Sequence, residues 1–172
     1  GSNRFSTTDQ LVKASIGGHR LYDAVEVLLK GPEISLTDHG LPAYRDKDGH
    51  LRDHARMQWW NPDATTLHDL AEMARDLETE DGRRYPEVPD IEMPAEERSC
   101  VYTDQVPVFY GHYWRWGTPE HLLDWTAHTA CVDFSAVNDG TLTAYRWSGE
   151  SNIRLENYVP HTADVVAQHP SA

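Results

Sequence analysis

Apolar positions near the start of the chain recur at helical spacing: Leu11, Val12 and Ala14, then Leu21, Tyr22, Ala24, Val25, Val27 and Leu28. Ser6-Thr7-Thr8-Asp9 offers capping side chains and Gly17-Gly18 interrupts the run, which predicts two helices or one broken helix. Lys30-Gly31-Pro32 stops it, because glycine tolerates positive φ and proline cannot continue the hydrogen-bond ladder. Farther on, Asp46-Lys47-Asp48-Gly49 predicts a hairpin turn between the extended arms Ala43-Tyr44-Arg45 and His50-Leu51-Arg52. Behind the turn-like Asn61-Pro62-Asp63, the residues Leu67, Leu70, Ala71, Ala74 and Leu77 share one face of an amphipathic helix predicted over 64–77.

The helical period then disappears. Residues 78–98 carry Pro86, Pro89, Pro94 and acidic clusters, and they predict an exposed, mobile loop able to cover another part of the protein. From Ser99 the texture is that of strands: 106–110, 130–136, 142–147 and 153–158 are short, β-branched or aromatic, and separated by turn residues such as Asn138-Asp139-Gly140 and Ser148-Gly149-Glu150. A meander of antiparallel strands is the economical arrangement. A helix over 119–127, capped by Thr118, is predicted between the first two strands. Beyond Pro160 the chain is small and polar, as in a frayed tail over 161–172, and no internal repeat is visible. The fold class read from this pattern is α+β, a mainly antiparallel sheet with flanking helices.

Composition narrows the function classes. A chain of 172 residues with 39% hydrophobic content, six tryptophans and eight tyrosines suits one domain with a modest core. Its formal charge of -13 repels a phosphate backbone, so binding of polymeric nucleic acid is disfavoured. Apolar runs fall short of the roughly 20 residues that cross a bilayer, and a cytoplasmic protein without membrane partners is expected. Gly1-Ser2 reads as a scar of tag removal covering residues 1–3, so the chain is expected to be an excised piece. Cys100 and Cys131 lack Cys-x-x-Cys spacing and are expected to be reduced, buried thiols.

Several residues could carry chemistry. The apolar run Pro107-Val108-Phe109-Tyr110 breaks at Gly111 and presents His112, which is either a metal or phosphate ligand at a sheet rim or a half-buried histidine in a turn. Arg52 and Arg56 stand four apart ahead of Trp59-Trp60, and a guanidinium fork suits a phosphate, although stacking on tryptophan or pairing with Asp48 or Asp53 is the more economical account. Asp46-Lys47-Asp48-Gly49 has part of a calcium-loop pattern but lacks the later glutamate, so the turn is read as structural. His50 and His54 would chelate zinc only on a helix, which the adjacent Asp-Gly turn opposes. Ser135, Asp133 and the many histidines do not make a nucleophilic triad, because no Gly-x-Ser-x-Gly elbow accompanies them.

Taken in order, Phe109-Tyr110-Gly111-His112-Tyr113-Trp114, Cys131-Val132-Asp133-Phe134-Ser135 and Ala144-Tyr145-Arg146-Trp147-Ser148-Gly149-Glu150 resemble the C-terminal part of bacterial calcineurin-like metallophosphoesterases, the protein-phosphatase-like or dinucleoside-tetraphosphatase-like branch. Upstream, Leu28-Leu29-Lys30-Gly31-Pro32-Glu33, Asp46-Lys47-Asp48-Gly49 and Arg52 to Arg56 with Trp59-Trp60 extend the likeness over roughly residues 4 to 158. The resemblance implies that residues 1–160 are the C-terminal portion of an αββα sandwich whose intact form hydrolyses phosphoesters with two divalent metal ions (Mn, Fe, Zn or Mg). It implies a metal-ligand role for His112, and phosphoester contacts for Arg52, Arg56 and Tyr113. Many relatives have a second histidine where this chain has Trp114. The Asp-x-His, Gly-Asp-x-x-Asp-Arg-Gly and Gly-Asn-His motifs that supply the other ligands do not occur here, so the chain alone is expected to be inactive and to need a missing N-terminal catalytic half. The alternative is a non-catalytic protein-binding or regulatory module that pairs with a separate catalytic half.

Overall fold

The computed structural model describes residues 7–74 and 76–161. The expected scar over 1–3 and all of the expected tail except His161 lie outside these residues. The chain divides at Tyr102–Thr103 into two units, each with its own core.

The first unit begins with α1 (Thr8–Lys13) and α2 (Arg20–Lys30), the two helices expected from the pattern. The Thr7 hydroxyl accepts the Gln10 amide in α1, and the His19 ring nitrogen accepts the Leu21 amide in α2, satisfying donors that a helix start leaves open. Gly31 at φ 85° ends α2 ahead of Pro32. Then come β1 (Glu33–Ser35), β2 (Tyr44–Arg45), β3 (Leu51–Arg52) and β4 (His54–Met57). β2 and β3 are the predicted hairpin, with Tyr44 opposite Arg52. Asp46 builds its turn by accepting the amides of Asp48 and His50 on one carboxylate oxygen, at 3.0 and 2.8 Å.

The helix predicted over 64–77 is reduced to one turn, α3 (Leu67–Leu70), capped reciprocally by Thr66 and Asp69. The chain leaves it as β5 (Ala71–Glu72), which pairs with β4 in the sheet β1-β4-β5. Leu67, Leu70 and Ala71 are still buried. The apolar stripe was real, and strand pairing at Met57–Ala71 overrode its helical continuation. After β6 (Glu78–Thr79), which joins β2, the proline-rich stretch is irregular as expected but pinned. The Leu67 amide donates to the Ile91 carbonyl, the Met93 amide to the Thr65 carbonyl, and Met93 is buried among Ile34, Leu36, Met57 and Leu70 in the core.

The second unit contains β7 (Val108–Tyr110), β8 (Thr129–Cys131), β9 (Asp133–Phe134), β10 (Thr141–Tyr145) and β11 (Tyr158–His161). β9, β10 and β11 form the antiparallel meander, while β7 and β8 pair in parallel outside it. The last strand lies later than predicted: residues 155–157 form a short 3-10 turn, whose Asn157 amide group binds Glu150 Oε1 at 2.8 Å. No α-helix forms over 119–127; Asp124 caps the Glu120 amide with its own carboxylate, and Leu122 takes φ 68°. Ala130, Phe134, Ile153 and Tyr158 make the core, with Trp125 and Tyr145 packed on it.

The chain is therefore α+β with mostly antiparallel strands and few helices. Both cysteines are free thiols. Among the described residues no helix is long and apolar enough to cross a membrane.

Candidate functional site

His112 lies two residues beyond the end of β7, and Gly111 is the step between them. The histidine is exposed and holds φ 76°, a left-handed backbone that a β-carbon disfavours. Its amide donates to Asp133 Oδ2 at 2.8 Å. Tyr113 is half-buried, its ring edge-on to Tyr110 at 5.7 Å and beneath the Arg115 guanidinium at 5.5 Å.

Under this loop lies a buried ion pair. Arg115 Nε is 3.0 Å from Asp124 Oδ1, with side-chain exposures of 9% and 2%. Arg115 also donates through Nη2 to the Leu123 carbonyl and through its backbone to the Asp133 carbonyl. Asp124 accepts the Glu120 amide on its other carboxylate oxygen. Neighbouring groups are held in their neutral forms: burial pushes the Tyr110 phenol up, and burial pushes the Cys131 thiol up to about 11. These groups are poor nucleophiles at neutral pH, so they support the loop rather than react.

Arg52 and Arg56 belong to the first unit, His112 and Tyr113 to the second. Arg52 is paired with Asp46 (2.9 Å), and Arg56 with Glu33 (3.2 Å) and the Gly31 carbonyl (3.1 Å). These acidic partners differ from Asp48 and Asp53, which sequence reasoning weighed. Burial pushes the Tyr44 phenol up, opposed by the positive charge of Arg52 and, less strongly, of Arg56, so both cations lie within electrostatic reach of it. Trp60 is fully buried and edge-on to Trp59, a core role.

His50 and His54 fall in the hairpin arm and on β4, not on a helix. Asp46, Asp48 and His50 do converge. Partial desolvation raises the Asp46 carboxyl, but the Arg52 contact and the amides of His50 and Asp48 outweigh it and hold the carboxyl below its ordinary value. Its lone pairs thus already serve the turn. Ser135 is buried with φ 57°, inaccessible to an attacking role.

Sequence reasoning did not assign roles to Asp133, Arg115 and Asp124. Opposite charges inside an aromatic-rich stretch were the available signal for the last two. No family model matches the chain, nor does any curated protein or solved structure.

Proposed function

We propose that this chain is the C-terminal portion of a calcineurin-like, metal-dependent phosphoesterase, an αββα sandwich completed by polypeptide carrying the other metal ligands. The observation that carries the reading is the position of His112: an exposed imidazole residue just past the carboxyl end of a strand in a parallel pair. In open α/β sheets ligands bind outside the carboxyl ends of the strands, and the reading takes the β7–β8 pair by analogy with them. Two divalent cations, Mn, Fe, Zn or Mg, supply charge stabilisation and activation of water for attack at phosphorus.

The donors present fit that group in part. A tight site needs three or four protein ligands, and His112 would contribute one ring nitrogen. In this reading Tyr113 is the phosphoester contact beside His112 in the second unit, and Arg52 and Arg56 are phosphate-binding candidates within the first unit. Both arginines would exchange a carboxylate partner for phosphate, which presents the same oxygen geometry to a guanidinium. An acidic protein with free thiols belongs in the reducing cytoplasm.

Hydrolysis of p-nitrophenyl phosphate with added Mn2+ tests the proposal. The chain by itself should show no turnover, and turnover abolished by His112→Ala would overturn the partial-site reading. In a continuous protein that also carries the missing motifs, Mn2+-dependent turnover should be lost on His112→Ala; retention removes His112 from the site.

A second reading, a non-catalytic module that binds a separate catalytic half, is favoured by the exposure of Val27, Leu28 and Leu29 on α2, and separately by that of Trp116, Leu142 and Trp147. Light scattering of the chain mixed with a separate polypeptide carrying the missing motifs tests it: two species that stay unassociated at high concentration oppose the module reading.

A further inference from the structure

We propose that the helical hairpin α1–α2 is the interface through which two copies of this chain associate, an inference that goes beyond the functional readings above and assigns the α2 surface to a second copy. α1 and α2 pack on each other, yet no side chain of residues 7–30 is buried. Leu11 and Val12 on α1, Ile16 in the turn after it, and Val27, Leu28 and Leu29 on α2 are exposed, Leu28 by 84%. A helix of 11 residues is shorter than the roughly 12–15 that hold together in water unaided, so its stability has to come from covering an apolar face. The hairpin supplies part of that cover, leaving Leu21, Tyr22 and Val25 half-buried. Val27, Leu28 and Leu29 are consecutive and so point to more than one side of the helix. A flat surface cannot cover them together, whereas the neighbouring helices of a bundle can.

Charge and area select the partner. Residues 8–30 hold three acids, Asp9, Asp23 and Glu26, against three bases, Lys13, Arg20 and Lys30, so this segment is neutral in a chain of formal charge -13. Asp9 is paired with Lys13, and Glu26 with Lys30, inside the hairpin. A second acidic copy can therefore approach here without the repulsion it meets from the rest of the protein. A membrane-surface helix instead carries a surplus of Lys and Arg on its polar face, which α2 lacks. The six exposed side chains leave on the order of 600 Å2 of apolar surface per copy, most of the roughly 800 Å2 per partner that a stable interface buries. A two-fold pairing brings the same six residues of each copy together as a four-helix arrangement.

Sedimentation equilibrium of the full chain at about 10–200 µM, in low and high salt, tests this. A species of twice the 19.6 kDa chain mass should form. Raising NaCl from about 0.02 to 0.5 M should tighten it, because screening removes the repulsion between two acidic copies. At the higher salt, Leu28→Glu puts a carboxylate from each copy into the interface and should weaken association at least about tenfold. Leu142→Glu makes the same change of charge at an exposed leucine of the second unit and should leave association within about twofold of the unsubstituted chain. Leu29→Lys lowers the negative charge and should still weaken association, which separates lost apolar contact from added repulsion and serves if Leu28→Glu does not fold.

A monomer throughout that range would overturn the inference, whether the hairpin then binds vesicles of phosphatidylcholine and phosphatidylglycerol or a polypeptide carrying the missing motifs. So would a dimer that Leu142→Glu weakens as much as Leu28→Glu does, or one that neither Leu28→Glu nor Leu29→Lys weakens, because association would then run through another surface.

Discussion

Removing Asp124 tests whether the buried ion pair holds the histidine-bearing loop. The Asp124 side chain is 2% exposed and sits 3.0 Å from Arg115 Nε, so Asp124→Ala leaves a guanidinium in a poorly solvated place without its counter-charge. Breaking one side of a buried pair costs about 3–5 kcal/mol. For the second unit, Thr103–Ala172, total stability at about 0.05–0.15 kcal/mol per residue is about 4–10 kcal/mol. The variant should therefore lose most of the second unit's stability. Asp124→Asn keeps an acceptor for the Glu120 amide and should lose less. Arg115→Met with Asp124→Leu removes both charges, and such replacements are often neutral or stabilising; the double variant should recover most of the loss. Urea titrations of the full chain, followed by near-ultraviolet circular dichroism, measure all three. An Asp124→Ala midpoint equal to that of the parent would refute the reasoning. A double variant as unstable as the single one would assign the loss to the missing Glu120 cap instead.

Gly140→Ala should destabilise by at least about 2 kcal/mol, as overpacking against atoms that cannot move aside does: its β-carbon would collide with the Phe134 carbonyl oxygen and lie 2.7 Å from the Ser135 backbone. A melting temperature within a degree of the parent's contradicts this. Stability should fall on acidification below the ordinary carboxylate range. Hydrogen bonds from the Glu150 backbone and the Ser148 amide, with Tyr145 and Asn157, hold the Glu150 carboxyl below its ordinary value. A depressed folded pKa gives stability that is complete above the unfolded value, 4.5, and is lost as pH falls through the folded one. Glu150→Gln should flatten that part of the pH–stability curve measured by urea melts; an unchanged slope would show that the contact contributes nothing.

The structure kept what the sequence specified locally and changed what depended on distant partners. The α2 stop at Gly31-Pro32 and the Asp46–Gly49 hairpin were legible because their causes, positive φ and side-chain capping of nearby amides, lie within a few residues. The helix over 119–127 was not. Its Thr118 cap was a local signal, and the pairing of Asp124 with Arg115, nine positions away, prevailed over it. The same holds for 64–77, where β4 recruited Ala71–Glu72 into a sheet. At the candidate site, Gly111-His112 could be read as a strand end carrying an imidazole. Its support could not, since Asp133 reaches the loop from 21 positions away.

By itself the sequence determined the α+β class, the β2–β3 hairpin, the places of β7 to β10, the acidic character and a histidine just past a strand end, all set by short-range pattern and composition. Only the tertiary structure decided that β7 and β8 run parallel, that Met93 anchors the proline-rich stretch, and that one carboxylate holds His112 in a left-handed turn. Those outcomes depend on which groups meet across the fold, where burial makes an unpaired charge or amide costly and so selects one partner among many.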